Sequence, residues 1–251
     1  MTDDPWFYAV AVPAILITGL AKGGFLGGLG GLAVPIMSLV ISPVQAAGIM
    51  LPILIAMDWI GLWAYRRDWD RRNLMILLPA ALLGVAVGYA MAARVTDAHV
   101  RLIVGVVALV FSLDYWLPLR PKAGPREASL VRGSFWGAIA GFTSFVSHTG
   151  GPPLSVYLLP QRLPNATYAA TAVAFFTVVN LAKVPAYASL GQLGAGNLAV
   201  AAAFMPLAVL AILAGVHLTR VLPQEPFYRI AYACLVPVSL KLIWDGLGAV
   251  V

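Results

Sequence analysis

The sequence predicts an all-α integral membrane protein built from two inverted five-segment repeats, each opening on a glycine-broken helix, with about 8–10 membrane segments in all. Three observations carry that prediction. Of 251 residues, 61% are hydrophobic and only 10% charged, with a mean hydropathy of +0.89, whereas soluble domains hold roughly 45–50% apolar residues. Two stretches, GLAKGGFLGGLGGLAVP at 19–35 and GFTSFVSHTGGPPLS at 141–155, set a basic or titratable side chain just ahead of a Gly-Gly pair. Residue matches between the halves also run in one order with a growing offset, which is the mark of an internal repeat with small loop insertions.

Repeat one, residues 5–118, holds apolar segments at 5–21, 24–42, 45–65, 73–92 and 99–118. The first follows MTDDP, where two aspartates stand in place of the Lys or Arg of a secretory signal, so the N-terminus is expected in the mature protein. The second is the glycine-interrupted run. The third holds Asp58 and ends at Arg66, and the fourth carries Pro79 and Gly88. The fifth lies between Arg94 and the polar connector at 119–129.

Repeat two, residues 130–249, continues with 130–146, a short element at 149–160 read as a half-helix, then 165–187 after Pro164, 196–219 after Gly191–Gly196, and 227–249 after Pro223. No room remains for a soluble domain, so residues 1–251 form one membrane domain.

The repeat rests on colinear pairs. Gly30 and Gly31 match Gly150 and Gly151 at an offset of 120, Ala64 and Tyr65 match Ala186 and Tyr187 at 122, and Asn73 and Leu74 match Asn197 and Leu198 at 124. Pro79 and Gly88 match Pro206 and Gly215 at 127, and Arg101 matches Arg229 at 128.

Charge then chooses the topology, because Lys and Arg near span ends collect in the cytoplasm. Ten crossings with both termini outside place Arg66, Arg67, Arg71, Arg72, Arg120, Lys122, Arg126, Arg132, Arg162, Arg220 and Arg229 inside, against Arg94 and Arg101 outside. Eight crossings, with the broken segments re-entrant, move Arg162, Arg220 and Arg229 outside and weaken the asymmetry. An odd number of crossings per repeat makes the halves inverted.

Glycine inside a helix costs about 1 kcal/mol against alanine, and irregular backbone at membrane depth is tolerated only against protein or a watery cavity. The breaks therefore point to a site in which Gly30, Gly31, Gly150 and Gly151 let a ligand approach backbone N–H groups at positive helix ends. Close helix packing is the competing use of the same glycines. Lys183, in FTVVNLAKVPAY, lies well inside a span, where a charge costs at least about 2.5 kcal/mol and is usually functional or paired. Asn180 is one turn before it, and Asp58 aligns with Asn180 at an offset of 122. An Asp58–Lys183 ion pair is the structural alternative for both.

Lys22 stands at the end of the first span as a substrate ligand or as a lysine snorkelling to the cytoplasmic surface. His148, between Ser147 and Thr149, is read as a substrate or proton contact, the alternative being a core imidazole. Asp58 and His148 are the candidate proton-coupling groups. Asp114, Lys241 and Asp245 read as interface anchors, and Trp59, Trp63, Trp116, Trp136 and Trp244 as the interfacial belt.

GGFLGGLGGLAVP with HTGGPPL, and LPAALLGVAVG with FMPLAVLAILAG, resemble the sulfite exporter TauE/SafE family of membrane permeases across nearly the whole chain. FTSFVSHTGGPPLSVYLLPQRLP and FTVVNLAKVPAYASLGQL resemble a bacterial subgroup in particular. The resemblance implies transport of a small anion such as sulfite, a sulfonate or a related organosulfur anion across the bacterial inner membrane. The chain departs from the family in having GGPP in place of a glycine triplet and in Lys22, where a small residue is common.

No His/Cys/Glu spacing suits a metal, no GxxxxGK[ST] element cradles ATP, and Cys234 is the single cysteine, so no cofactor is expected. Positive charge is confined to short loops and speaks for orientation, not nucleic acid. The expected partners are the anion and the bilayer, with a coupling proton and a second copy of the chain as options. A passive anion channel is the runner-up. An intramembrane enzyme comes last, because sequential neighbours such as Ser147 and His148 rarely form a catalytic dyad.

Overall fold

The computed structural model describes residues 5–24, 33–37, 40–91, several positions between 102 and 117, and 125–248. The described residues fold into helices α1 (Pro5–Lys22), α2 (Ala33–Met37), α3 (Pro43–Ala64), α4 (Arg71–Met91), α5 (Leu130–Ser147), α6 (Gly151–Leu158), α7 (Asn165–Ser189), α8 (Ala195–Val221) and α9 (Gln224–Gly248), with a 3₁₀ turn at Leu159–Gln161. Five of them, α1, α3 from Val44, α4, α7 and α8, are long and apolar enough to cross a membrane. The expected segments agree with these elements to within a few residues. The exceptions are 24–42, of which α2 is among the described residues, and 99–118; most of both stretches lies outside the described residues.

Local chemistry sets several ends. Ser42 accepts from the Gln45 amide at 3.2 Å while Pro43 opens α3, its missing N–H being one the first turn leaves unpaired anyway. Ser129 caps α5 in the same way through the Arg132 amide.

Contacts between helix ends fix the direction of each helix. The Tyr65 hydroxyl, just past α3, donates to the Gly23 carbonyl at 2.6 Å, and Thr219 near the end of α8 donates to the same oxygen at 3.0 Å. The C-termini of α1, α3 and α8 therefore meet on one side. The starts of α4, α5 and α7 lie there too: the Asp70 amide donates to Thr171, Asn73 and Gln161 exchange side-chain bonds, the Arg126 amide donates to the Pro160 carbonyl, and Asn165 donates to the Leu222 carbonyl. This is the connector side. On the far side, the ends of α4, α5 and α7 gather, with the Tyr89 ring 6.1 Å from Phe145 and its hydroxyl 3.3 Å from that of Ser189. Since Pro160 returns to Arg126, α6 runs back beside α5 toward the connector side.

Small residues close the seams. A Cβ on Gly84 would lie 2.1 Å from the Ala138 carbonyl oxygen, and one on Gly141 would lie 2.1 Å from that of Ala81, so α4 and α5 touch backbone to backbone. Gly23 meets Gly215 in the same manner across α1 and α8. Such approach is how membrane helices gain packing where lipid supplies no hydrophobic drive. The packing use of glycine is thus realised at Gly23, Gly84, Gly141 and Gly215. Trp59, Trp63, Trp116 and Trp244 are exposed on the outer surface and Trp136 is half-buried, as a lipid-facing belt requires.

Candidate functional site

Helices α1, α3, α5 and α7 bring polar groups together in the interior. Asp58 is 0% exposed, and its carboxylate is ion-paired with the Lys22 ammonium on one oxygen. The other oxygen accepts from the Asn180 amide at 2.7 Å. Lys22 also stands 5.6 Å from the centre of the Phe176 ring, within cation–π range. The lysine turns inward to a buried carboxylate rather than snorkelling to a surface.

Lys183, also 0% exposed, takes other partners. Its ammonium reaches the Ser144 carbonyl and hydroxyl, each at 3.1 Å, and His148 Nδ1 at 3.2 Å. The alternative Asp58–Lys183 pair is replaced by Asp58–Lys22, because Lys22 at the end of α1 reaches the carboxylate while Ser144 and His148 satisfy Lys183. The Tyr187 hydroxyl gives its one proton to the Phe145 carbonyl, so a neutral His148 holds its proton on Nε2 and keeps Nδ1 as an acceptor facing Lys183 Nζ. His148 Nε2 then carries the proton and donates to the Tyr187 hydroxyl at 3.0 Å, and Tyr187 donates to the Phe145 carbonyl at 3.2 Å. The hydrogen-bonded chain Lys183–His148–Tyr187–Phe145 runs from the cavity wall toward the far side.

The break between α5 and α6 has its own cause. α5 ends at Ser147 and His148 takes the left-handed conformation, φ 54°, so the histidine and not a glycine makes the turn. Gly150 is needed there for space, since a Cβ would lie 2.6 Å from the Ala140 carbonyl oxygen. The start of α6 is a poor anion cradle. Pro152 and Pro153 have no N–H, and the Leu154 amide is bonded to the Gly150 carbonyl, so only Gly150 and Gly151 have amides to offer there, half of what a helix start ordinarily presents. The charge at this place comes from side chains.

Between these groups lies a cavity of about 50 Å³, measured as space open to water centres, lined by Lys22, Ser144, His148, Gly151 and Asn180 on its polar part. Ala21, Gly24, Leu54, Tyr168, Ala169, Ala172, Val173 and Phe176 form the apolar wall. At about 10–15 Å³ per water, it holds roughly three to five water-sized groups, the size of a small oxyanion. From Asn180 it follows α7 back to Tyr168, toward the connector side.

Of the expected site residues, Lys22, His148, Gly151 and Asn180 line the cavity. Asp58 and Lys183 stand behind it as partners, and Thr149 and Gly150 are buried in the turn beside it. Ser147 ends α5, while Gly30, Gly31 and Asp114 lie outside the described residues. Lys241 and Asp245 form an ion pair with each other along α9. Sequence reasoning missed Ser144, Tyr187, Tyr168 and Phe176. Tyr187 had a signal in its match to Tyr65, and Ser144 in its place one turn before His148.

Among the described residues the chain is helical, and helices long and apolar enough to cross a membrane pack around a buried polar cavity, the build of a multi-pass membrane protein. The family model for the sulfite exporter TauE/SafE matches residues 11–242, and the chain belongs to that family. Comparison with curated proteins and with solved structures yields no match.

Proposed function

We propose that this chain is a secondary carrier for a small sulfur-containing anion, such as sulfite or a sulfonate, across the bacterial inner membrane. The observation that carries the reading is the buried site itself: two lysines and one carboxylate meet at a cavity of oxyanion size. A charge at depth is expensive and persists where it has a task. In this reading Lys22, Asn180, His148 and Gly151 contact the anion, and Lys183 with Ser144 orients His148.

The fold supports two inverted repeats and alternating access. Tyr65 to Gly23 and Tyr187 to Phe145 are the same hydrogen bond displaced by 122 residues, at opposite ends of the bundle. α1 with α3 and α5 with α7 thus occupy equivalent places with reversed direction. Asp58 bonds Asn180, its own counterpart at that offset. Lys22 with Ser144 and Leu54 with Phe176 are two further pairs at 122, and all four residues line the cavity. A cavity lined by both members of such pairs lies on the pseudo-two-fold axis, where transporters of this design hold their substrate. The connector loops and the arginines at 66–72, 126, 162 and 220 then face the cytoplasm, with both termini outside.

An interior negative by about 100 mV drives each net negative charge outward by about 2.3 kcal/mol, so uncoupled anion movement runs as export. The test loads proteoliposomes with sulfite or a sulfonate and imposes a potassium–valinomycin potential without a pH gradient. Efflux should accelerate when the compartment equivalent to the cytoplasm is negative. Uphill uptake driven by a proton or sodium gradient against that potential would overturn export, and the absence of flux for any anion would overturn the carrier reading.

A further inference from the structure

We infer that the site is matched to a monoanion, and that a doubly charged anion is admitted only when Asp58 carries a proton. This rests on the anion-carrier reading above and sharpens it to the charge state of the cargo. Three buried charged groups decide the count. Lys183 Nζ lies within hydrogen-bond distance of Ser144 O, Ser144 Oγ and His148 Nδ1, and we count it as an ammonium that gives one proton to each. Lys22 is an ammonium ion-paired with Asp58, and Asp58 accepts one more bond from Asn180, as a carboxylate does. Two positive groups against one negative leave a single net positive charge, which one negative charge on a ligand balances.

A second negative charge has no partner. It would share the cavity wall with the Asp58 carboxylate behind Lys22, in an interior where water screens little, and like charges at such range disfavour each other strongly. A proton on Asp58 removes the competition and frees Lys22 for the ligand. Other titratable groups do not offer this relief. α7 faces Asp58 with Asn180 and Lys183, α1 with Lys22, and the end of α5 brings His148, bonded at both ring nitrogens. On α8, the ionisable side chains are His217 and Arg220, and Arg220 is engaged at the Ala64 carbonyl. α2 carries none.

Methanesulfonate and sulfate test this with little change of shape, since both are tetrahedral at sulfur and differ by a methyl group in place of a charged oxygen. Binding of each to purified protein in nanodiscs is measured by calorimetry at about pH 8 and about pH 5, a range in which neither probe changes charge and the lower pH favours a proton on Asp58. Wild type should prefer methanesulfonate by at least about tenfold at the higher pH. The preference should shrink at the lower pH. In Asp58→Asn it should fall by about tenfold or more and lose its pH dependence. Equal binding of the two anions by wild type, or a preference that Asp58→Asn leaves unchanged, would overturn the inference. A pH dependence that persists in Asp58→Asn would assign the titration to His148 and also overturn it. Failure of both anions to bind wild type would instead overturn the anion reading itself, and the charge rule with it.

Discussion

Asp58 illustrates how a single residue couples stability to function. Removing one member of a buried ion pair leaves the other charge without compensation, at a cost of about 3–5 kcal/mol. Lys22→Met should therefore lower the thermal stability of the detergent-solubilised protein markedly, and Asp58→Asn should restore much of it. The same cycle between Asp58 and Lys183 should be close to additive, because Lys183 bonds Ser144 and His148. Strong coupling there, with none to Lys22, would show that the ion pair has been assigned to the wrong lysine. Lys183 and Asp58 are visible in the sequence as charges inside apolar runs. Their partners are not, because a one-dimensional pattern places a residue on a helix but does not choose which helix its side chain faces. Lys22 lies at a predicted span end and reads equally well as a surface lysine.

At the scale of elements, the seam between α4 and α5 depends on two glycines with backbone oxygens at their faces. Gly141→Leu should prevent correct packing, seen as loss of a monodisperse peak on size-exclusion chromatography. Ser144→Ala removes one acceptor from Lys183 and should weaken anion binding while the peak is retained. A monodisperse Gly141→Leu protein would mean that the helices separate without loss of fold. The helices themselves are legible from hydropathy and from Pro and Gly punctuation, and α7 and α8 begin within a residue of their expected starts. The turn at 148–150 is legible as a break but not in its mechanism. Glycine pairs suggest left-handed backbone, yet His148 adopts it, held by bonds at both ring nitrogens. Two prolines likewise leave the start of α6 with fewer amide donors than a helix start ordinarily has.

For the whole molecule, reporter tags should place the connector near Arg126 on the cytoplasmic side and the C-terminus outside; a cytoplasmic C-terminus on folded protein would sink the ten-crossing arrangement. The expected repeat shows in the sequence as colinear matches, although Lys22 and Gly23 pair with Ser144 and Phe145 at an offset of 122, ahead of Gly30 and Gly31 at 120. Its proposed inversion rests on the end-to-end contacts, since matching residues alone do not say whether two halves run parallel or opposed.

The two tyrosine bonds have an energetic consequence. If Tyr65 to Gly23 and Tyr187 to Phe145 were embedded in identical surroundings, the forms open to either side would be degenerate and equally populated. The copies differ at Lys22 against Ser144, Asp58 against Asn180, and Gly61 against Lys183. In the proposed inverted arrangement, differences at these polar positions would break the degeneracy, and the bias would be a resting preference that cargo must overcome. Exchanging the carboxylate and the amide, Asp58→Asn with Asn180→Asp, keeps the bond between them while moving the charge to the other copy. The balance should then tilt toward the opposite opening, read as altered labelling of a cysteine placed at Tyr168 in a Cys234→Ser background. Unchanged labelling would mean that the bias resides elsewhere.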